Sequence, residues 1–242
     1  MKLRCLGSSS SGNCYILYNN IEAIILEAGV KFSDIKKSLN FDLSKVKGVL
    51  SSHLHSDHSK SVPDFIYSGI PVLADESVFK HHGVNPSIIA KHQYEYTFGG
   101  FTIKPFSVEH DVPTFGFLLN HPDMGKTVFI TDTGEINYSF KNLNNIIVEA
   151  NFSNDIIERN VMNGIIHPVH EKRVKMSHLS LEKCSEWLKM IDISEVNNIV
   201  LIHLSSQNSN ATEFQNTIKN RFAKNVHIAK KGLSIPFGKT PF

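Results

Sequence analysis

Apolar residues fall along this chain in short runs rather than in long stripes. Ile, Val, Leu and Phe concentrate near residues 2–6, 14–18, 21–27, 46–51, 71–74, 101–108, 115–119, 127–131, 145–149, 198–203 and 226–229. Short apolar runs bounded by turn residues predict about eleven buried strands. Asn19-Asn20 and Asp123-Met124-Gly125 lie between neighbouring runs and carry the turn chemistry of antiparallel hairpins. Helical spacing is clearest after Ser177, where Leu181, Cys184, Leu188 and Ile191 form one stripe that Ser177 or Ser180 would cap. A second stripe carries Ala211, Phe214, Ile218 and Phe222, and shorter helices are predicted after Phe32, Pro63 and Asp75. That many strands exceed one small sheet, so the pattern predicts two sheets packed together with helices outside.

Composition narrows the class. A chain of 242 residues with 41% hydrophobic and 20% charged residues can build its own core, and neither repeats nor long linkers divide it. One domain spanning 1–242 is expected. The chain has no apolar run of the length a membrane helix requires, and Met1 to Gly7 lack a signal-peptide core, so a cytoplasmic location is expected. Cys5, Cys14 and Cys184 form no CxxC and read as small buried residues in a reducing compartment. A formal charge of +2 neither announces nor forbids a nucleic-acid partner, whereas thirteen histidines are many for this length.

The histidines are not scattered at random. The strand ending at Ser51 runs into His53-Leu54-His55-Ser56-Asp57-His58, an HxHxDH cluster whose crowding makes sense if cations hold it. His53 and His55 can point to one ion while Asp57 and His58, past a turn, reach a second. Two ions need further ligands, and His110, Asp132 and His203 each close another predicted strand.

With HxHxDH followed by a lone His, a Thr-Asp-Thr-Gly aspartate and a final His, the sequence resembles the metallo-β-lactamase-fold hydrolases. The resemblance implies an α+β, four-layer αββα sandwich of two mixed sheets with a dinuclear site at one edge. It implies His53, His55 and His110 on one divalent metal ion, Asp57, His58 and His203 on the other, and Asp132 bridging them. Zinc is the first expectation, with manganese or iron as alternatives for imidazole and carboxylate ligands. The stretches Gly7-Ser8-Ser9-Ser10-Ser11-Gly12-Asn13, Ala229-Lys230-Lys231-Gly232-Leu233 and His203-Leu204-Ser205 are similar to the YycJ/WalJ-like exonucleases. Glu149-Ala150-Asn151-Phe152 followed by Ser177-His178-Leu179-Ser180 is similar to motifs of tRNase Z, which implies that Glu149 and His178 assist leaving-group protonation. The family's usual Asp-Ala-Gly is Glu27-Ala28-Gly29 here. The short span from Asp132 to His203 has no room for a β-CASP insertion, and no flexible arm points to tRNA processing.

Other features keep two readings open. His178 would start the helix after Ser177, near its positive end. Arg159, His167, His170, Lys172, Arg173 and Lys175 form a basic stretch that is either a solvated face or a phosphate-holding one. The loop from Gly7 to Asn13 is either a hairpin connection or a phosphate cradle. Phe115, Phe117 and Tyr138 read as core more readily than as base-stacking platforms. The functional expectation is a dinuclear metal-dependent phosphodiesterase acting on nucleic acid, DNA before RNA. A 5′ to 3′ exonuclease is expected, with a metal-bridging hydroxide as nucleophile, His178, Glu149 and Asp57 as catalytic residues, Asp57 and Asp132 also at the metals, and no obligate protein partner. The alternative is a metal-dependent hydrolase of small esters, thioesters or lactones on the same site.

Overall fold

The computed structural model of the chain describes residues 1–240; the last two residues of the expected 1–242 unit lie outside the described residues. Among the described residues, fourteen strands form two seven-stranded mixed sheets. The first contains β1 (Lys2–Gly7), β2 (Cys14–Tyr18), β3 (Ala23–Leu26), β4 (Val46–Leu50), β5 (Val72–Ala74) and β6 (Ile88–Ile89) in chain order. The second contains β7 (Tyr96–Phe98), β8 (Phe101–Val108), β9 (Thr114–His121), β10 (Gly125–Ile130), β11 (Asn145–Glu149), β12 (Asn198–Ile202) and β13 (Asn225–Ile228). The chain then returns to the first sheet, where β14 (Ser234–Pro236) pairs antiparallel with β1. Each sheet begins as an antiparallel meander and continues as parallel strands, from β3 to β6 in one and from β10 to β13 in the other.

Three strands beyond the predicted eleven, β6, β7 and β14, are only two or three residues long and too short to show a period. The predicted hairpins are present. Asn19 Oδ1 accepts from the backbone N–H groups of Ile21 and Glu22 at 2.8 Å each, which closes the β2–β3 turn.

Side-chain alternation explains the layers. On β1 and β2, Leu3, Cys5, Tyr15 and Leu17 face the second sheet and meet Phe101, Phe117, Phe129, Ile147 and Val200. Each buried aromatic ring there contributes roughly 1.5–3 kcal/mol. The alternate residues Cys14, Ile16 and Ile25 face outward but are equally buried, under α1 (Phe32–Ser38), α3 (Val62–Tyr67) and α4 (Glu76–His82). Sheets covered on both faces read as continuous apolar runs, as these do. The outer face of the second sheet is covered by α7 (Leu181–Met190), through Cys184, Trp187 and Leu188, and by α8 (Ala211–Phe222), through Phe214 and Ile218. The fold is thus the expected αββα sandwich. Phe117 lies in the core between the sheets, and Tyr138 packs on Phe106 and Phe140. The three cysteines are buried and free.

Three helices lie beyond the predicted ones: α2 (Ser56–Ser59), inside HxHxDH, α5 (Asn154–Met162) and α6 (Pro168–Ser177). Helix α6 buries only Val174 and Ser177, so it lacks an apolar stripe. This corrects the position of His178. It is the C-cap of α6, with its N–H bonded to Val174 O, rather than the start of α7, whose N-cap is Ser180. No helix among the described residues is long and apolar enough to cross a membrane.

Candidate active site and metal centre

Strands β3, β4, β8, β10, β11 and β12 all finish at one end of the sandwich. The residues that end or follow them, Glu27, the His53–His58 turn, His110, Asp132, Glu149 and His203, therefore converge there. A rigid sheet holds each side chain by its backbone, and close backbone approaches lock the loops together. A Cβ on Gly29 would lie 1.6 Å from Asp57 O, so only glycine lets the loop after β3 press against α2.

Ligand atoms of His53, His55 and His110 lie within 4.8 Å of one another, as do those of Asp57, His58 and His203, and those of His53, His58 and Asp132. In the first group His53 Nε2 is 3.0 Å from His55 Nδ1, while Ser52 Oγ lies 2.8 Å from His53 Nδ1. His110 donates from Nδ1 to Ser177 O at 2.9 Å, which turns its Nε2 toward the group. Burial, reinforced by the neighbouring His58, pushes the His53 imidazole well below its ordinary pKa, and burial also lowers that of His110. These rings are neutral at pH 7, the form that binds a metal.

The second group is tied to carboxylates. His58 Nε2 lies 3.2 Å from Asp57 Oδ2 and 3.4 Å from Asp132 Oδ1, and its Nδ1 lies 3.5 Å from Glu27 Oε2. The longer side chain of Glu27, in place of the usual Asp, therefore reaches the back of a site histidine. His203 Nε2 lies 3.4 Å from Asp57 Oδ2 and its Nδ1 3.2 Å from Asp132 Oδ1. Burial opposes protonation of both rings, but the surrounding carboxylates outweigh it: His58 is raised well above its ordinary value and His203 to about 10. Burial likewise resists ionisation of Asp57 and Asp132, and the histidines overcome it and hold both well below the usual carboxylate range.

Glu149, fully buried, organises a third element. Its Oε1 lies 2.8 Å from His178 Nδ1 and 3.0 Å from His203 Nδ1, while Oε2 accepts from the N–H groups of Leu179 (2.9 Å) and Thr133 (3.2 Å). The carboxylate thus orients a site histidine as well as the expected acid. With Nδ1 facing Glu149, the other ring nitrogen of His178, Nε2, is the one able to serve a substrate. Desolvation lowers the His178 pKa, but Glu149 and Asp132 more than offset it, and the C-terminus of α6 adds to the same effect.

A cavity of about 340 Å³ opens onto these groups, walled by Ser10, His55, Asp57, His110, Asp111, Asp132, Arg173, Ser177, His178 and His203 among others. Of the basic stretch, only Arg173 reaches it, 3.9 Å from Asp111. Lys175 is engaged by Glu158 and Glu171 at 2.9 and 2.8 Å, and His167 caps α6 by accepting from Val169 N. Sequence reasoning missed Asp111, whose carboxylate lies 3.0 Å from His110 Nε2 and 3.6 Å from His55 Nε2. Two asparagines inside the sequence motifs also support the site, a role the motifs alone do not show. Asn13 Nδ2 donates to Asp57 Oδ2 at 3.3 Å and lies 3.1 Å from His58 Nε2, and Asn151 Nδ2 donates to His203 O at 2.8 Å. The latter steadies a backbone that is left-handed at His203, φ 55°.

The residues fit a cation. His110 Nε2 and His203 Nε2 are buried without a well-aligned hydrogen bond, although the carboxylates of Asp111 and Asp57 lie 3.0 and 3.4 Å away, and each nitrogen faces one of the ligand groups. Buried ring nitrogens that converge with carboxylates but lack a well-made hydrogen bond argue for an ion that would bind them together. The sequence model of the Beta-lactamase superfamily domain matches residues 33–204. The chain belongs to the beta-lactamase superfamily. It is 26% identical to Exodeoxyribonuclease YycJ of Bacillus anthracis over 84% of this chain and 82% of that protein. Exodeoxyribonuclease WalJ of Streptococcus pneumoniae is likewise 26% identical, over 98% of this chain and 92% of its own length. Among solved structures, the metallo-beta-lactamase fold protein YhfI from Bacillus subtilis superposes with a TM-score of 0.71 at 16% identity, covering 97% of this chain and 98% of that one. The short form of human tRNase Z does so with 0.64 at 13%, covering 98% and 99%. Within this superfamily, the His and Asp groups at the strand ends make the chain a metal-dependent hydrolase.

Proposed function

We propose that this superfamily member is a dinuclear metal-dependent phosphodiesterase that degrades nucleic acid, in particular a DNA exonuclease working 5′ to 3′. The Glu149–His178 pair beside Asp132 carries the reading, because a phosphodiester that expels a sugar hydroxyl needs a proton delivered to the departing oxygen. Two divalent cations, zinc foremost and manganese or iron otherwise, would supply Lewis-acid charge for the phosphoryl oxygens and an activated water. His53, His55 and His110 would hold one, Asp57, His58 and His203 the other, and Asp132 would stand between. Glu149 fixes the ring of His178 by accepting its Nδ1–H and favours the imidazolium, whose Nε2–H would serve the leaving group. Arg173, at the rim, attracts the polyanion.

The cavity wall supports this reading over hydrolysis of small esters or lactones. Its lining has no apolar side chain to receive an acyl group, whereas serines and Arg173 suit a charged, hydrated strand. The two relatives named exodeoxyribonucleases support DNA as substrate. The test is His178→Ala, which should lower turnover of end-labelled DNA by roughly 10²- to 10⁴-fold while metal content stays near two per chain. Turnover of bis(p-nitrophenyl) phosphate, whose leaving group needs no proton, should fall far less. Loss of metal from the variant would make His178 a ligand and refute the acid role. Clean ester turnover with every DNA and RNA left intact would refute the nuclease.

A further inference from the structure

Beside the metal cavity lies a larger one, of about 460 Å³, behind the loop that joins β1 and β2. Ser9 and Ser11 line it, while Ser10, between them, lines the metal cavity, so a single turn of backbone separates the two. The remaining walls contribute Lys31, Lys60, Lys230 and Lys231 against one carboxylate, Asp34. All four lysines are exposed, and among the described residues none of them takes part in a salt bridge.

The walls are firmly built. Ser8 Oγ accepts from His203 N at 2.9 Å and lies 2.8 Å from Tyr15 OH, which ties the loop to the metal site and to the core. A Cβ on Gly12 would meet Gly29 O at 2.6 Å, so the loop is packed against the segment after β3. The Lys230–Lys231 turn is zipped onto β1 by Cys5 N to Leu233 O and Gly232 N to Cys5 O, at 2.9 and 3.0 Å. Lys60 follows α2 directly, within three residues of Asp57 and His58. Four cations on fixed backbone, around serine hydroxyls and one step from the metals, match the spacing problem of a chain of phosphates better than that of a single compact anion.

We propose that this cavity is a second substrate site, which holds backbone phosphates of the nucleic-acid strand adjoining the phosphate at the metals. The proposal rests on the nuclease reading above. Its contribution is to binding and register, with Lys31, Lys60, Lys230 and Lys231 neutralising phosphates that do not react.

The experiment compares the metal-loaded enzyme with Lys230→Ala/Lys231→Ala on a labelled single-stranded DNA oligonucleotide and on bis(p-nitrophenyl) phosphate, across a series of salt concentrations. The double variant should raise KM for the oligonucleotide about tenfold and lower the slope of log KM against log salt by about 0.7 for each phosphate that is no longer neutralised. Its kcat on the small diester should be unchanged. Lys230→Arg/Lys231→Arg should restore both KM and slope, and Lys45→Ala, at the other end of the sandwich, should alter neither. Wild-type cleavage with an unchanged KM and slope in the double variant would overturn this site alone. Phosphate inhibition abolished by the double variant without any change in oligonucleotide KM would assign the cavity to free phosphate and overturn it too. Failure of the wild-type enzyme to act on any nucleic acid would remove the nuclease reading and this inference with it.

Discussion

Both ends of the sandwich gather histidine and carboxylate, with opposite results. At the end where β3 begins and β9 stops, His121 Nε2 meets Glu22 Oε1 at 3.1 Å and its Nδ1 accepts from Asp123 N at 3.0 Å. The second Glu22 oxygen accepts from Gly100 N at 2.8 Å, and Asn19 Nδ2 donates to Asp123 Oδ2 at 2.7 Å. Every polar atom of that pair has a protein partner, and the contact straps one sheet to the other. At the far end, six histidines stand among Glu27, Asp57, Asp111, Asp132 and Glu149, and the Nε2 atoms of His110 and His203 lie near carboxylates without a well-aligned hydrogen bond. A satisfied pair stabilises the fold; a surplus of ligand atoms aimed at common points stores binding capacity instead.

That contrast can be broken experimentally, beginning with the largest effect. Asp132→Ala should lose metal and DNA turnover together, since its carboxylate lies between His58 and His203. Chelation, which should lower Tm in the wild type because ions bind only the folded chain, should leave this variant nearly unmoved. Full activity with Asp132 removed would end the dinuclear scheme. Glu149→Gln keeps the shape but not the charge that holds His178 and His203, and should cost roughly 10- to 100-fold in activity or metal affinity. Measured metal content and kcat separate those two losses.

The smallest effect belongs to the opposite end. Glu22→Gln should leave activity and the chelator response intact and lower Tm by roughly 2–4 °C at pH 7, the change expected of about 1 kcal/mol in a chain of this size. Burial would raise the Glu22 pKa, but the bonds from Gly100 and His121 prevail and hold it below the ordinary 4.5. A carboxyl lowered on folding contributes stability that is complete above its unfolded pKa and disappears as pH falls through the folded one. The difference between Glu22→Gln and wild type should therefore shrink as pH falls below about 4.5, which melting curves across that range would reveal.

These two ends also mark what could be read from the chain. His110 and His121 each close an apolar strand of eight residues, β8 and β9, and in the sequence they look alike. Only antiparallel pairing sends β9 back toward the start of the sheet and places His121 among structural partners. His53, His55, Asp57 and His58 were legible because four ligand types crowd one turn, which is hard to explain otherwise. Asp132 and His203 were legible as residues that close buried runs, and Glu149 and His178 through the motif resemblance. Asp111 had no such signal, since a lone polar residue in a loop carries no record of what will face it; Arg173 stood out only as one member of the basic stretch, and Asn13 and Asn151 only as parts of motifs that do not show their role.

The periodicity of apolar positions by itself predicted two packed sheets with helices outside, since short doubly buried runs with a few amphipathic helices admit few other packings, and the motif resemblance made this the αββα class. The clustered ligand types likewise determined the chemistry to expect. Tertiary structure alone decided which Glu149 oxygen meets which histidine, that α6 ends at His178, and that Glu27 reaches His58. It also decided that a lysine-lined cavity backs the metal site, from lysines at positions 31, 60, 230 and 231. The physical reason is range: burial and helix stripes arise from neighbours three or four residues apart, whereas these contacts join residues far apart in the chain through strand direction and register.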